Sequence, residues 1–441
     1  MLKVSLYISL VAALLASACT KRINQCESDA DCTNPAYPFC DVDGQYEASG
    51  GQKNVCTIVP PNCPVSRCGC DPGAASCGSD TLLTCNADGK SQTMATCSLG
   101  CEGDGTACKT FEPSNGLGTA LAAASSQPDV QFPASVTIDT DTGTIVDSAN
   151  LPVTVASVTV TQSNAAIRVF IAKSFDITNA VIYGTDAVAF VAAGSIEIHG
   201  YVDASANLST SGPGAVTADS PCVGESTATG GGGGGNATAG GNGTTDLLMT
   251  GSGGSMQAAF SPLLGGCVGG GDTNGAEGGG GGGAIQFVAG TELGLDGSGT
   301  IDIGGGGGGA SASGGGGGGA GGTVVIEAPS VALGGTIAAN GASGGACAID
   351  GDDATPTATP APSVQGCSTT TTKGFVYDGY SGAGGTASSA PGNGYYYAEA
   401  GGPAGGGSVG WLRVATGDGT YATTATALLS VAIVTATLET E

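Results

Sequence analysis

Between residues 167 and 203 the chain repeats itself at a fixed spacing, and this repeat limits the fold more than any other feature. Ile167-Arg168-Val169-Phe170 to Ala180-Val181-Ile182-Tyr183-Gly184 returns in pattern at Val188-Ala189-Phe190-Val191 to Gly200-Tyr201-Val202-Asp203. Phe175 maps to Ile196, Ile177 to Ile198 and Val181 to Val202, each a shift of 21 residues. The template recurs 135 residues on, taking Phe190 to Val325, Ile196 to Val331, Ile198 to Leu333, Gly200 to Gly335 and Val202 to Ile337, and a further copy lies at Ala284 to Ile303. Short runs of Val, Ile, Thr and Ala, broken by Gly, Asn and Asp, read as strands joined by tight turns. A repeat near 20 residues built from them is the sequence form of one coil of a parallel β-helix, because stacked coils bury one another's apolar positions in continuous inward ladders. The expected fold class is therefore all-β, a right-handed parallel β-helix over residues 130–441, with the apolar stretch Ala422 to Glu441 supplying its last strands.

Between the copies lie insertions at about 207–283 and 341–407 and a shorter one at 304–322. Four hexaglycine runs, at 230–235, 278–283, 304–309 and 314–319, sit in or beside them. Such runs serve as flexible linkers, or they pack side by side as extended threefold polyglycine helices whose bare backbones hydrogen-bond laterally. Ordering these 24 glycines costs on the order of 12–24 kcal/mol relative to alanine. Runs that lead straight into core strands, as at Ala284-Ile285-Gln286-Phe287, have fixed ends, which favours the packed form.

The 17 cysteines divide as Cys19, then 12 from Cys26 to Cys108, then Cys222, Cys267, Cys347 and Cys367. The cluster fills residues 19–110, where little apolar content is available and disulfides replace a core. It separates into a module of four (about 20–60) and a module of eight (about 61–110), whose connectivity stays open. The two long insertions carry two cysteines each, so Cys222 is expected to pair with Cys267 and Cys347 with Cys367. Residues 1–18 combine Lys3, an apolar run from Val4 to Leu15 and the small residues Ala16-Ser17-Ala18, the pattern of an export signal. Zinc is disfavoured in an oxidising exported compartment.

Ala16-Ser17-Ala18-Cys19 resembles the lipobox of bacterial lipoproteins, which implies acylation of Cys19; Ala16 stands where that family prefers Leu. Thr20 in place of Asp resembles lipoproteins sorted to the outer membrane of Gram-negative cells. The stretches CESDADC with PFC, and TCNADGK with CSLGC, resemble small Cys-rich repeats of myxobacterial surface proteins. From lipobox to glycine-interrupted repeats, including VTIDTDTGTI at 136–145, the chain resembles glycine-rich, Cys-rich lipoproteins of the myxobacterial type. That resemblance implies a lipid-anchored location at the outer membrane, on the cell surface, and leaves the reaction or ligand unspecified.

Charge narrows the function. With 11 Lys plus Arg against 37 Asp plus Glu, and a net charge of -26, the chain is repelled by phosphate backbones and anionic lipid, so no nucleic-acid partner is expected. One His in 441 residues excludes mechanisms needing two imidazoles. The leading expectation is a non-enzymatic structural or adhesive protein, its partners the membrane through the lipid and an extracellular glycan or surface protein. Tyr377, Tyr380 and Tyr395-Tyr396-Tyr397 are candidate ligand-binding residues, or a cover for the β-helix. A polysaccharide-active β-helix enzyme and a glycan- or ice-binding module are the alternatives. In the former, Asp176 lies under Glu197, a like-charge pair that calls for a cation or a basic neighbour. No cofactor is expected; Asp139, Asp141 and Asp350 to Asp353 are acidic loops that Ca²⁺ could occupy but that read first as solvated.

Overall fold

The computed structural model describes residues 26–28, 31–33, 39–43, 53–57, 71–87, 89, 91–162, 165–218, 220–245, 248–257, 260–312, 314–370, 376–395 and 402–440. Cys19, Cys63, Cys68, Cys70, Tyr396 and Tyr397 lie outside them. The chain divides into two compact units, Met1–Lys109 and Thr110–Glu441.

In the first unit Phe39–Asp41 pairs antiparallel with Val55–Thr57, and Ala75–Gly78, Thr81–Cys85 and Gln92–Thr96 form a three-stranded antiparallel sheet. Disulfides join Cys26 to Cys40, Cys32 to Cys56, Cys77 to Cys101 and Cys97 to Cys108, and Cys85 is disulfide-bonded too. Each of these pairings stays inside its own module.

The second unit is strand-rich, with almost no helix. Its backbone visits three sheets in strict rotation. Ala165–Ala172 lies in the first, Phe175–Ile177 in the second and Ala180–Tyr183 in the third; Ala187–Ala192, Ile196–Ile198 and Tyr201–Asp203 repeat the order. Ala284–Ala289, Glu292–Leu295 and Thr300–Asp302 follow, then Thr323–Glu327, Ser330–Leu333 and Thr336–Ala338, then Trp411–Thr416, Ala422–Thr423 and Leu428–Ser430. Ala432–Thr437 returns to the first sheet. Within each sheet these successive strands are parallel. The earlier strands Val130–Gln131 and Val136–Asp139 already belong to the second and third sheets. Antiparallel strands Ala156–Gln162 and Thr144–Asp147 cover the starting edges of the first and third, so those backbone groups are not left open for another chain.

Register follows the inward side chains. Phe170, Phe190, Phe287, Ile326 and Val414 form one ladder, with ring centroids 5.8 Å apart for Phe170 and Phe190 and 5.6 Å for Phe190 and Phe287. Ile177, Ile198, Leu295 and Leu333 form another. Each such side chain, removed from water, contributes roughly 1.5–3 kcal/mol.

Three of the expected alignments are corrected. Phe170 lies beside Phe190 and Ile167 beside Ala187, a shift of 20 rather than 21. Val202 pairs with Ala180 rather than Val181, a shift of 22, because Ala180 points inward and Val181 is 47% exposed. Phe190 continues through Phe287 to Ile326, not to Val325, because Ile326 lies in the core cluster and Val325 takes the outer face of its strand. The turns of successive repeats differ by a residue, so a gapless template drifts out of phase between sheets.

The central strands of the first sheet are buried on both faces, which explains the uninterrupted runs Ala187–Ala192 and Ala284–Ala289. A short helix, Gly118–Ala124, and residues 114–116 lie on its outer side, where Ser114 and Asn115 hydrogen-bond Glu327 and Gln286.

The described glycine runs of the insertions pack against one another through their backbones. In the run Gly314–Gly322, the N–H groups of Gly315, Gly318 and Gly321 reach the carbonyls of Gly402, Gly405 and Ser408. Those of Gly316, Gly319 and Gly322 reach Gly309, Gly306 and Ile303, and those of Gly317 and Ala320 reach Gly270 and Cys267. Every third residue thus addresses the same neighbour, the signature of a backbone with three residues per turn. These glycines are buried, and a Cβ on Gly316, Gly317, Gly318 or Gly319 would come within 1.8–2.2 Å of a neighbouring carbonyl oxygen. Only glycine permits that spacing.

Candidate functional site

Two clusters of polar side chains are held on outer faces by the strand rotation. On the second sheet, Asp176 and Glu197 stand side by side in register, with Gly294 and Ala332 at the next two positions. The Glu197 carboxylate lies over Gly294, where a Cβ would come 2.1 Å from Oε2. His199 and Asp296 each follow the end of their strand, and alignment of Ile198 with Leu295 brings them together. His199 Nδ1 sits 2.8 Å from Asp296 Oδ2, and Nε2 lies 3.7 Å from Asp176 Oδ1. The hydrogen bond to Asp296 holds the imidazole above its ordinary range. Asp296 itself is held down to about 2, first by hydrogen bonds from Ser298 and then by His199. Glu197 is raised, by partial burial first and then by the charge of Glu292. The basic neighbour that the Asp176 and Glu197 pair requires is therefore His199, supplied by the chain itself and with its proton affinity raised by Asp296.

The sign of the pH dependence follows. The raised imidazole contributes stability that is complete below about 6.5 and fades as pH rises through its folded value. The depressed Asp296 contributes above about 3.9 and loses its share as pH falls through about 2. Because His199 is the single histidine, its ring is unambiguous in a proton-carbon NMR titration. The midpoint is expected above that of an unperturbed His and is expected to fall back towards it in Asp296→Asn; a midpoint unmoved by that substitution would show the pair is not formed.

On the third sheet a groove of about 380 Å³ runs between the outer face and two parts of the insertions, residues 205–211 and 353–356. Asp203 and Asp302 are adjacent in register. Tyr201 donates its hydroxyl to Asp302 Oδ2 at 2.6 Å, and the Gly304 N–H donates to Oδ1 at 3.0 Å. Burial pushes Asp302 up to about 6, and burial followed by the bond to Asp302 raises Tyr201. Ser205 donates to one oxygen of Asp203 through both its N–H and its hydroxyl. Asp353 Oδ1 accepts the N–H groups of Leu208 and Gly307, which ties all three insertions together at the groove wall. Val181 and Tyr183 form the open side, with Tyr183 52% exposed.

Comparison with protein-family models, with curated proteins and with solved structures finds no match.

The remaining expected sites fall as follows. Cys222 and Cys267 are joined by a disulfide, Cα to Cα 5.8 Å. Cys347 is disulfide-bonded, while the side chain of Cys367 lies outside the described residues. Tyr380 and Tyr395 face one another through two backbone hydrogen bonds of 2.9 and 2.8 Å, and both rings are exposed. Tyr377 stands in Val376–Tyr380, its side chain outside the described residues. Among the acidic loops, Asp139 and Asp141 accept local N–H groups and the Thr185 hydroxyl, and Asp350 accepts the Ala310 N–H. Sequence reasoning missed Asp296 and the groove. The signal for Asp296 was present, since it occupies the template position of His199 in the copy at Ala284 to Ile303.

Proposed function

We propose that Thr110–Glu441 is a right-handed parallel β-helix carrying a bundle of threefold polyglycine helices. The whole chain is then a non-enzymatic structural or adhesive protein, anchored by lipid at Cys19 to the outer membrane of a Gram-negative bacterium and displayed on the cell surface. The observation that carries this reading is the glycine block. Most of its N–H groups go to carbonyls of neighbouring backbone, so the described glycine runs are tied to one another rather than free to close over a substrate. Rigidity of that kind suits a displayed scaffold. The disulfides of the first unit fit an oxidising exterior.

Protease shaving of intact native cells tests it. The wild type is expected to be cell-bound and degraded from outside, and Cys19→Ala is expected to lose membrane attachment. A cell-bound but protected protein places the unit in the periplasm and removes the adhesive reading. Unchanged attachment of Cys19→Ala removes the lipid anchor.

A further inference from the structure

We propose that the third-sheet groove bounded by Tyr183, Tyr201, Asp203, Asp302, Asn207 and Asp353 is a binding site for an uncharged saccharide. The inference deepens the adhesive reading, and its biological sense rests on that reading.

The volume, about 380 Å³, lies at the small end of ligand sites, roughly 300–1,000 Å³, and suits one or two sugar rings. The polar lining is rich in acceptors. Ionised carboxylates accept hydrogen bonds and donate none, so Asp203 and Asp353 call for a ligand rich in donors. Ser205 engages only one oxygen of Asp203, leaving the other for a ligand hydroxyl. Asn207, Thr210 and Ser211 both donate and accept, which matches a hydroxyl serving in both roles. No Lys, Arg or His lines the groove, so uronates, sulfated sugars and phosphates meet like charge with nothing to offset it. The exposed ring of Tyr183, beside Val181, adds an apolar platform for the C–H face of a pyranose. A small cation would use the carboxylates and ignore that platform, whereas a saccharide uses both.

The groove is also built rather than incidental. Asp302 is 3% exposed and fixed by Tyr201 and Gly304, and Asp353 fixes the opposite wall through Leu208 and Gly307. Binding therefore needs little reorganisation of the site.

The test is calorimetric titration of the full-length chain in mild detergent with maltohexaose, cellohexaose, chitohexaose, trigalacturonate and spermidine. Saturable binding of at least one neutral oligosaccharide is expected, without binding of trigalacturonate. Tyr183→Ala and Asp203→Asn are each expected to weaken it about tenfold or more with the melting temperature unchanged, while Tyr395→Ala, at the separate exposed tyrosine pair, leaves it intact. The proposal is overturned if no neutral oligosaccharide binds at millimolar concentration, if trigalacturonate or spermidine binds more tightly, or if affinity survives both groove substitutions. Because the titration reads purified protein, its failure is distinct from failure of surface display, which shaving reads without any ligand.

Discussion

Gly319→Val is expected to abolish cooperative folding of the Thr110–Glu441 unit. A Cβ at Gly319 would stand 1.8 Å from the carbonyl oxygen of Gly280 and 2.5 Å from its carbon. The obstacle is backbone, held by hydrogen bonds of its own, and no rotamer change relieves it. Adding methylenes to an ordinary core costs about 1–3 kcal/mol. Here two backbones must separate, and the Gly319 N–H bond to Gly306 goes with them, so about 4–5 kcal/mol or more is expected. Gly297→Ala provides the contrast, since the nearest atom to a Cβ there is 3.9 Å away, and its effect should remain within about 0.5 kcal/mol. Thermal unfolding followed by circular dichroism, with limited proteolysis of the native state, reads both variants. If the two melt alike, the glycine block is not close-packed.

The same block shows where sequence reasoning reached and where it stopped. Glycine runs with fixed ends pointed to lateral packing, but which run meets which could not be read, because a bare backbone carries no side-chain pattern to set partners. The strand repeat was more legible. Phe175 over Ile196 and Ile177 over Ile198 pair as the 21-residue shift requires, since inward apolar residues define the ladder. Phase failed where turn length changed, at Ala180 against Val202, and it failed again where both faces of a strand are apolar, at Ile326 beside Val325. The candidate-site clusters were half visible. Asp176 and Glu197 are close in sequence, but Asp296 and Asp302 lie beyond an insertion of about 80 residues, and only register brings them back to His199 and Asp203. Thr110–Pro128 was invisible as part of this unit, because it packs through side-chain hydrogen bonds and a short Ala-rich helix rather than through a repeat.

That non-repetitive seam carries the second large effect: Arg413→Met should destabilise the unit by about 3 kcal/mol, and Arg413→Met with Glu327→Gln should recover much of the loss. Glu327 is 2% exposed on the outer face of the first sheet. One oxygen accepts from Arg413 at 2.6 Å; the other accepts the Ser114 N–H and the Gln286 amide, each at 2.9 Å. Gln286 also accepts from Asn115, which accepts in turn from Gln162, so one charge organises contacts among Ser114–Asn115, the antiparallel edge strand and three parallel strands. Asn115 holds its place in that network at φ 63°, a left-handed conformation that Asn tolerates better than most residues. Removing the guanidinium leaves a buried carboxylate without its counter-charge, for which losses of about 3–5 kcal/mol are usual; partial exposure of Arg413 favours the lower figure. A neutral amide at position 327 removes the uncompensated charge and keeps an oxygen for the Ser114 N–H, which is why the double variant should regain stability rather than lose more. Urea unfolding of the wild type and the three variants measures the order. If the double variant is no better than Arg413→Met, the guanidinium acts through its packing over the sheet and not through the charge of Glu327. Exchange of the Ser114 amide gives a local reading, expected to quicken in Arg413→Met ahead of amides in the Phe190 ladder, because the seam opens before the core does.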